Sequence, residues 1–227
     1  MFLTGDAGRM TGLSPAPSFF RMTTVALLHR DPVLGLRLAE TIAAAPGLTV
    51  SGVAGTLPVL RELFARHMPD LLLVDLMLPA AHVHALLSDL RRHGAEGGPK
   101  LLVLAVSADD PRVMEALRHG ADSYFAHAHS QLTLPAAIEQ LVRGESTITP
   151  QIARQLRSHF EAQVRADRTT ITDADRRLLQ WIAEGFLISE VARALRLNAH
   201  AVGVRIRALY RRLQTDVRAE EPPPLTI

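Results

Sequence analysis

Pro69-Asp70-Leu71-Leu72-Leu73-Val74-Asp75-Leu76-Met77-Leu78-Pro79 holds a short apolar run that a carboxylate ends. Four successive apolar residues without alternation read as a strand covered on both faces. Working outward, similar runs occur at Val25–Leu28 and Leu48–Val53 upstream and at Leu101–Val106 and Ser123–Phe125 downstream. Between them lie stretches of helical spacing at Pro32–Ala45, Leu57–His67, Val83–His93, Pro111–His119 and Leu134–Val142. Buried strands alternating with helices of ~10–15 residues predict a doubly wound, five-stranded parallel sheet of the flavodoxin-like kind. Asp75 then falls at the carboxyl end of the third strand, where such sheets carry functional groups.

Past Gly144 the strands stop. A polar helical stretch, Gln151–Asp167, follows Thr149-Pro150, and a small all-α unit runs from Ile171 to about Gln214. Thr172-Asp173-Ala174-Asp175 is a helix start with acid in its first turn. Gly185 is placed to end that helix, and Ser189–Leu195 forms a second, short one. Asn198 caps a third helix expected over Ala199–Leu213, with Val202, Ile206, Leu209 and Leu213 on one face. Its other faces carry His200, Gly203, Val204, Arg205, Arg207, Tyr210, Arg211 and Arg212. A helix apolar on one side and cationic elsewhere, behind a short helix and a tight turn, can lie in a DNA major groove. The same pattern fits a three-helix bundle with a solvated basic face.

Charge is divided in the same way. Residues 23–145 hold 10 basic and 13 acidic side chains, and residues 146–227 hold 13 and 9. An acidic front and a basic back point to an anion, usually nucleic acid, at the C-terminal part. The chain has 227 residues, 48% of them hydrophobic and 21% charged, which excludes wholesale disorder. The lack of cysteine excludes disulfides, thiolate metal sites and thiol catalysis. No run of ~18 apolar residues exists, so a cytoplasmic protein with no membrane partner is expected. Residues 1–22, punctuated by Gly, Ser and Pro, read as a disordered extension without the pattern of a secretory signal. The expected organisation is this extension, an α/β unit at 23–145, a helical linker at 146–170, a helical unit at 171–221 and a tail at 222–227.

Two resemblances sharpen this. Ile171-Thr172, Ile182-Ala183-Glu184-Gly185, Glu190-Val191-Ala192, Ala201 to Ile206 and Arg218-Ala219-Glu220 resemble the LuxR-type helix-turn-helix. That module ends response regulators of the NarL/FixJ group. Gly203 stands where the family has Lys, Arg205 where it has His, and Pro222 shortens the family's fourth helix. Pro69 to Pro79, with Gly120-Ala121-Asp122-Ser123-Tyr124, is similar to the receiver domain of the same regulators. The resemblance puts Asp75 at the phosphoacceptor position and Tyr124 at the aromatic switch position.

It also implies a pocket that is degenerate. The two acids that would hold Mg²⁺ fall on His29 and Arg30, with Asp31 one place too late. The hydroxyl falls on Ala105 and the Lys on His127. Arg30 is expected to reach Asp75 through its guanidinium, and His29 and His127 to flank the carboxylate with raised pKa values. His29, His82, His84, His127 and His129 are placed at one sheet edge, where a metal or haem is conceivable; scattered surface histidines account for them better, and no metal or cofactor is expected. The reading is a DNA-binding transcription regulator, not an enzyme, with a receiver that works without phosphorylation. Its expected partners are double-stranded DNA and a second copy, paired through the fourth and fifth helices and the strand between them. A small-molecule or protein ligand is a further option. The rivals are an adaptor that no longer binds DNA, and a receiver still phosphorylated on Asp75.

Overall fold

The computed structural model describes residues 22–93, 98–128, 132–166 and 171–220. His129 and the extension at 1–21 lie outside them. Five strands, β1 (Thr23–Leu28), β2 (Leu48–Ala54), β3 (Leu71–Asp75), β4 (Lys100–Ala105) and β5 (Ser123–Ala126), alternate with α1 (Pro32–Ala43), α2 (Leu57–Arg66), α3 (Ala80–His93), α4 (Pro111–His119) and α5 (Leu134–Val142). The sheet is parallel throughout in the order β2-β1-β3-β4-β5. Then come α6 (Pro150–Arg165), α7 (Asp173–Ala183), α8 (Ile188–Ala194) and α9 (Ala199–Glu220).

Strand residues alternate between the two faces. Val25, Leu27, Leu71, Leu73, Leu102 and Leu104 pack with Ile42 of α1 and Ile138 and Leu141 of α5. Ala26, Leu28, Leu72, Val74, Leu101 and Val103 meet Leu60, Val83, Leu87, Val113 and Leu117 of α2, α3 and α4. Covering both faces explains why the strands are apolar without a break. Helix starts follow local chemistry. Proline occupies the first turn of α1, α2, α4, α5 and α6, where its missing N–H costs nothing. Asp31, Asp110, Thr133, Thr149 and Thr172 accept first-turn N–H groups, and Asn198 Oδ1 accepts from Ala201 N at 2.7 Å.

The second core layer continues without a gap into the helical unit, through Ile152, Leu156 and Phe160 of α6, Leu178, Leu179 and Ile182 of α7, and Val202, Ile206, Leu209, Tyr210 and Leu213 of α9. Two expectations are corrected here. The stretch expected to be a polar linker is amphipathic as a helix, and α6 buries one face against α7. The third helix of the helical unit does not stop at Leu213, and no separate fourth helix follows among the described residues; α9 runs unbroken to Glu220. Nothing between Leu213 and Glu220 breaks a helix, and Gln214 and Asp216 hold it from the side.

His84 of α3 stacks on His119 of α4, ring centroids 4.3 Å apart and 15° from coplanar. So His84 is held between two helices, not at the sheet edge with His29. Burial first, then the His119 ring, hold the His84 imidazole below its ordinary range against an opposing pull from Glu115. The fold therefore favours the neutral ring. Its contribution to stability is complete above the unfolded pKa of ~6.5 and is lost as pH falls through the lower folded value. Urea midpoints are expected to drop more in the wild type than in His84→Gln between about pH 7.5 and about pH 5.5. Equal drops in both would show that the stacked pair has no part in acid sensitivity.

Candidate nucleic-acid interface and the Asp75 pocket

The helical unit has the three-helix order expected of a helix-turn-helix. Gly185, at φ +98°, ends α7. At the start of α8, Glu190 Oε2 accepts the Leu187 N–H at 2.8 Å, while Leu187 itself has no side-chain acceptor to return. Arg205 Nε lies 2.8 Å from Asp175 Oδ1 and ties α9 to α7. Val204 and Arg211 are exposed.

The face of α9 expected to meet solvent or DNA is instead turned toward the sheet. Arg207 is 7% exposed and Asp122, before β5, is 2% exposed. Arg207 Nη2 donates to Asp122 Oδ1 at 3.0 Å, and Nη1 to the Leu141 carbonyl at 3.4 Å. Asp122 Oδ2 accepts the Leu101 N–H at 2.8 Å and is paired with Arg91. One turn further, Tyr210 Oη donates to the Thr147 carbonyl at 2.6 Å. Gln214 Nε2 donates to the Leu117 and Ala121 carbonyls at 3.0 and 2.9 Å. At the other end of the row, the Ser146 N–H donates to the Gly203 carbonyl at 3.0 Å, and His200 Nδ1 lies 3.0 Å from Glu145 Oε1. Burial pushes the Glu145 carboxyl up, but hydrogen bonds from His200 and Arg143 outweigh it and hold the group below its usual range.

Gly203 has a reason that helix propensity does not supply. A Cβ there would stand 2.9 Å from Glu145 Cβ and 3.2 Å from its Cγ. Only glycine lets α9 come this close. Of the residues singled out for DNA, Gly203, Arg207 and Tyr210 are thus buried in contacts with the sheet unit and its following strap. The surface expected to pair two copies, α4 to α5, is for the same reason partly covered by α9.

Asp75 is buried at the end of β3. Its Oδ1 accepts the Met77 N–H at 2.8 Å, and its Oδ2 accepts the Arg30 backbone N–H at 3.3 Å. The expected guanidinium contact is replaced by this backbone one; the Arg30 residue itself is exposed. His29 Nε2 is 3.8 Å from Asp75 Oδ2, and its Nδ1 is held by the Asp31 backbone at 2.9 and 3.1 Å. Asp31 uses its carboxylate to cap α1, accepting from Val33 and Leu34. His127 is exposed and sets its ring edge-on to Phe125 at 5.1 Å, so it does not flank Asp75 as expected. Arg112, instead, approaches from α4: it donates to the Leu76 carbonyl at 2.9 Å, and Asp75 adds to the field of Asp110 that keeps the guanidinium charged. Ala105 ends β4 with no hydroxyl to offer. Mg²⁺ wants several oxygen ligands. A single carboxylate beside an imidazole, with the next acid committed to a helix cap, does not suit it. Among the described residues, no group of three or more His, Asp or Glu could hold a metal ion.

By sequence, the chain is 29% identical over 201 residues to the nitrate/nitrite response regulator NarL of Escherichia coli strain K12, spanning 87% of this chain and 92% of that protein. It is 24% identical over 152 residues to the response regulator VraR of Staphylococcus aureus strain Mu3, spanning 67% and 71%. Over these spans the chain is similar to response regulators of the NarL type. No family model matches it. Among solved structures, RcsB of Salmonella typhimurium superposes with a TM-score of 0.50 at 17% identity, covering 84% of this chain and 92% of that one. An RcsB–DNA complex superposes with a TM-score of 0.50 at 16% identity, covering 88% and 99%. These likenesses carry the fold: a receiver-type sheet unit followed by a helical unit.

The informative residues that sequence reading missed are Asp122, Glu145 and Gln214. Asp122 sits in the quoted Gly-Ala-x-x-Tyr stretch at the variable place. A carboxylate just before an apolar strand was the available signal for a buried partner. Glu145 and Gln214 carry no local signal at all.

Proposed function

We propose that this protein is a sequence-specific, DNA-binding transcription regulator, seen here with its reading helix closed against the receiver-like unit. The observation that carries the reading is α9: capped by Asn198, preceded by α7 and α8, and lined with His200, Val204, Arg205, Arg207, Arg211 and Arg212. Likeness to NarL along the chain, and to an RcsB known in complex with DNA, supports it. Residues 23–145 form the receiver-like unit, 146–170 the linker and 171–221 the DNA-binding unit. His200, Val204 and Arg207 face base edges; Arg205, Arg211 and Arg212 contact phosphates. Since Arg207 cannot serve Asp122 and a base together, binding requires α9 to leave the sheet unit. Opening also uncovers α4 to α5, the surface proposed to pair two copies.

The receiver-like unit is degenerate and works without phosphate. The donor set around Asp75 supports this: one imidazole, one backbone N–H and one nearby guanidinium balance the carboxylate without a metal. The relatives it resembles are response regulators, and no catalytic role is proposed. The adaptor reading draws on Phe186 and Leu187, large apolar residues exposed in the turn before α8, where a DNA-contacting cap would sit.

The test is a selection of random duplexes with the full chain, with and without acetyl phosphate and Mg²⁺, with intact mass recorded alongside. One enriched sequence, unchanged by acetyl phosphate, and an unmodified mass are expected. Binding should weaken with salt, and Arg211→Ala should lower the slope by about 0.9. No salt-dependent binding to any duplex would select the adaptor. A phosphoryl adduct on Asp75 that tightens binding would restore phosphotransfer.

A further inference from the structure

Between the two units lies a cavity of about 320 Å³, at the small end of the ~300–1,000 Å³ common for small-molecule sites. The sheet unit contributes Ala108, Tyr124, Ala126, Ala137 and Gln140; the helical unit contributes Ile188, Ala199, Gly203 and Ile206; the strap from Glu145 to Thr149 forms the remaining wall. Its surface is more apolar than polar. Tyr124 is 4% exposed. Its hydroxyl is buried; the Thr149 hydroxyl and N–H lie close enough to favour its oxygen, but its own proton meets no acceptor of normal geometry among the described residues. A buried hydroxyl proton without an acceptor is costly and asks for one. The hydroxyls nearby are oriented by other bonds: Thr147 Oγ1 donates to the Tyr124 carbonyl, Ser146 Oγ to the Asp122 carbonyl, and Thr149 Oγ1 accepts from Ile152.

We infer that this cavity is a binding site for a small neutral molecule with an apolar body and one hydrogen-bond acceptor, which Tyr124 Oη grasps. The neutral class follows from the walls. Glu145, the one lining carboxylate among the described residues, is already met by His200 and Arg143, so a cation gains little there. Among the described residues, no cationic side chain lines the cavity to receive an anion. Burial pushes the Tyr124 phenol up to about 12, so the hydroxyl stays a donor at any physiological pH and pairs with an acceptor such as a ketone or amide oxygen. Because walls come from both units, the site exists whole only while α9 is docked. An occupant binds the closed state and not the open one, and so opposes DNA binding. This last step rests on the closed-state reading given above.

The full chain, labelled at Ala and Ile methyl groups, is titrated with cyclohexanone and, separately, with cyclohexanecarboxylate. Saturable shifts confined to the lining methyls of Ala108, Ala126, Ala137, Ala199, Ile148, Ile188 and Ile206 are expected for the ketone, with the carboxylate binding at least about 10-fold more weakly. Tyr124→Phe keeps the ring and should weaken the ketone roughly 2- to 10-fold. The ketone should also weaken DNA binding by the wild type. Failure to saturate, equal binding of the carboxylate, undiminished binding to Tyr124→Phe, or DNA binding indifferent to saturating ketone would each overturn the proposal. Proton contacts between the Gly203 α-carbon and the Glu145 side chain in the free protein separate the two readings. Their absence sinks the closed state itself, whereas their presence without ketone binding sinks the site alone.

Discussion

Asp122→Ala is expected to lower the unfolding free energy of the full chain by about 3–5 kcal/mol, the range for stripping a partner from a buried charge. Asp122 meets Arg207, Arg91 and the Leu101 N–H at once. Arg91 remains partly open to solvent and can rehydrate. Arg207, 9% exposed at its side chain, cannot do so in place. It either stays buried without its counter-charge or leaves with α9. Urea unfolding measures the loss, and a cycle with Arg207→Met isolates the pair. Arg207→Met keeps most of the apolar contact while removing the charge. The double variant is therefore expected to recover part of the Asp122→Ala loss, with a coupling in the range of about 0.5–3 kcal/mol. A loss below about 1 kcal/mol, or strict additivity, would mean that the pair does not hold the two units together.

Gly203→Ala is expected to raise DNA affinity. The new methyl meets Glu145 Cβ at 2.9 Å, a contact made by the root of the side chain rather than its mobile end. Overpacking of this kind costs ~1–3 kcal/mol, and it burdens only the docked state. The Ser146 N–H to Gly203 carbonyl bond, which needs the same approach, is lost with it. The undocked helix gains about 1 kcal/mol from the better helix former. The closed-to-open ratio should fall roughly 5- to 150-fold, and DNA affinity should rise by up to the same factor while the closed state dominates. Fluorescence anisotropy on one selected duplex reads this directly. Unchanged or weaker binding by a well-folded Gly203→Ala would show that Glu145 yields and that docking does not limit DNA binding. The ~1 kcal/mol helix cost of glycine at this position is then understood as what the close approach of α9 requires.

Much of the fold was legible in residue order. Leu71–Val74 is apolar at every position because both faces of its strand are covered, and Asp75 ends it because the next residues turn toward α3. The proline-opened helices and the caps Thr172 and Asn198 are local events, within reach of a few neighbouring backbone groups. Where the sequence misled, the reason was distance. The polar look of residues 151–167 hid the buried side of α6, since period without a partner does not say which face is covered. Arg30 was expected to act by its side chain, yet the turn after β1 aims its backbone N–H at Asp75 instead. His127 follows β5 correctly, but the turn carries it outward.

The sequence by itself determined the two architectural units and placed Asp75 at a strand end. It also marked α9 as apolar on one face and cationic on others, because each depends on period, caps and turns along a short stretch of chain. Only the tertiary structure decided which cations of α9 are exposed. Whether a guanidinium stays in water or is buried depends on whether a carboxylate waits for it, and the partner of Arg207 lies 85 residues away. The same holds for Gly203: a helix interior disfavours glycine locally, and only the approach of Glu145 from another element gives it a purpose.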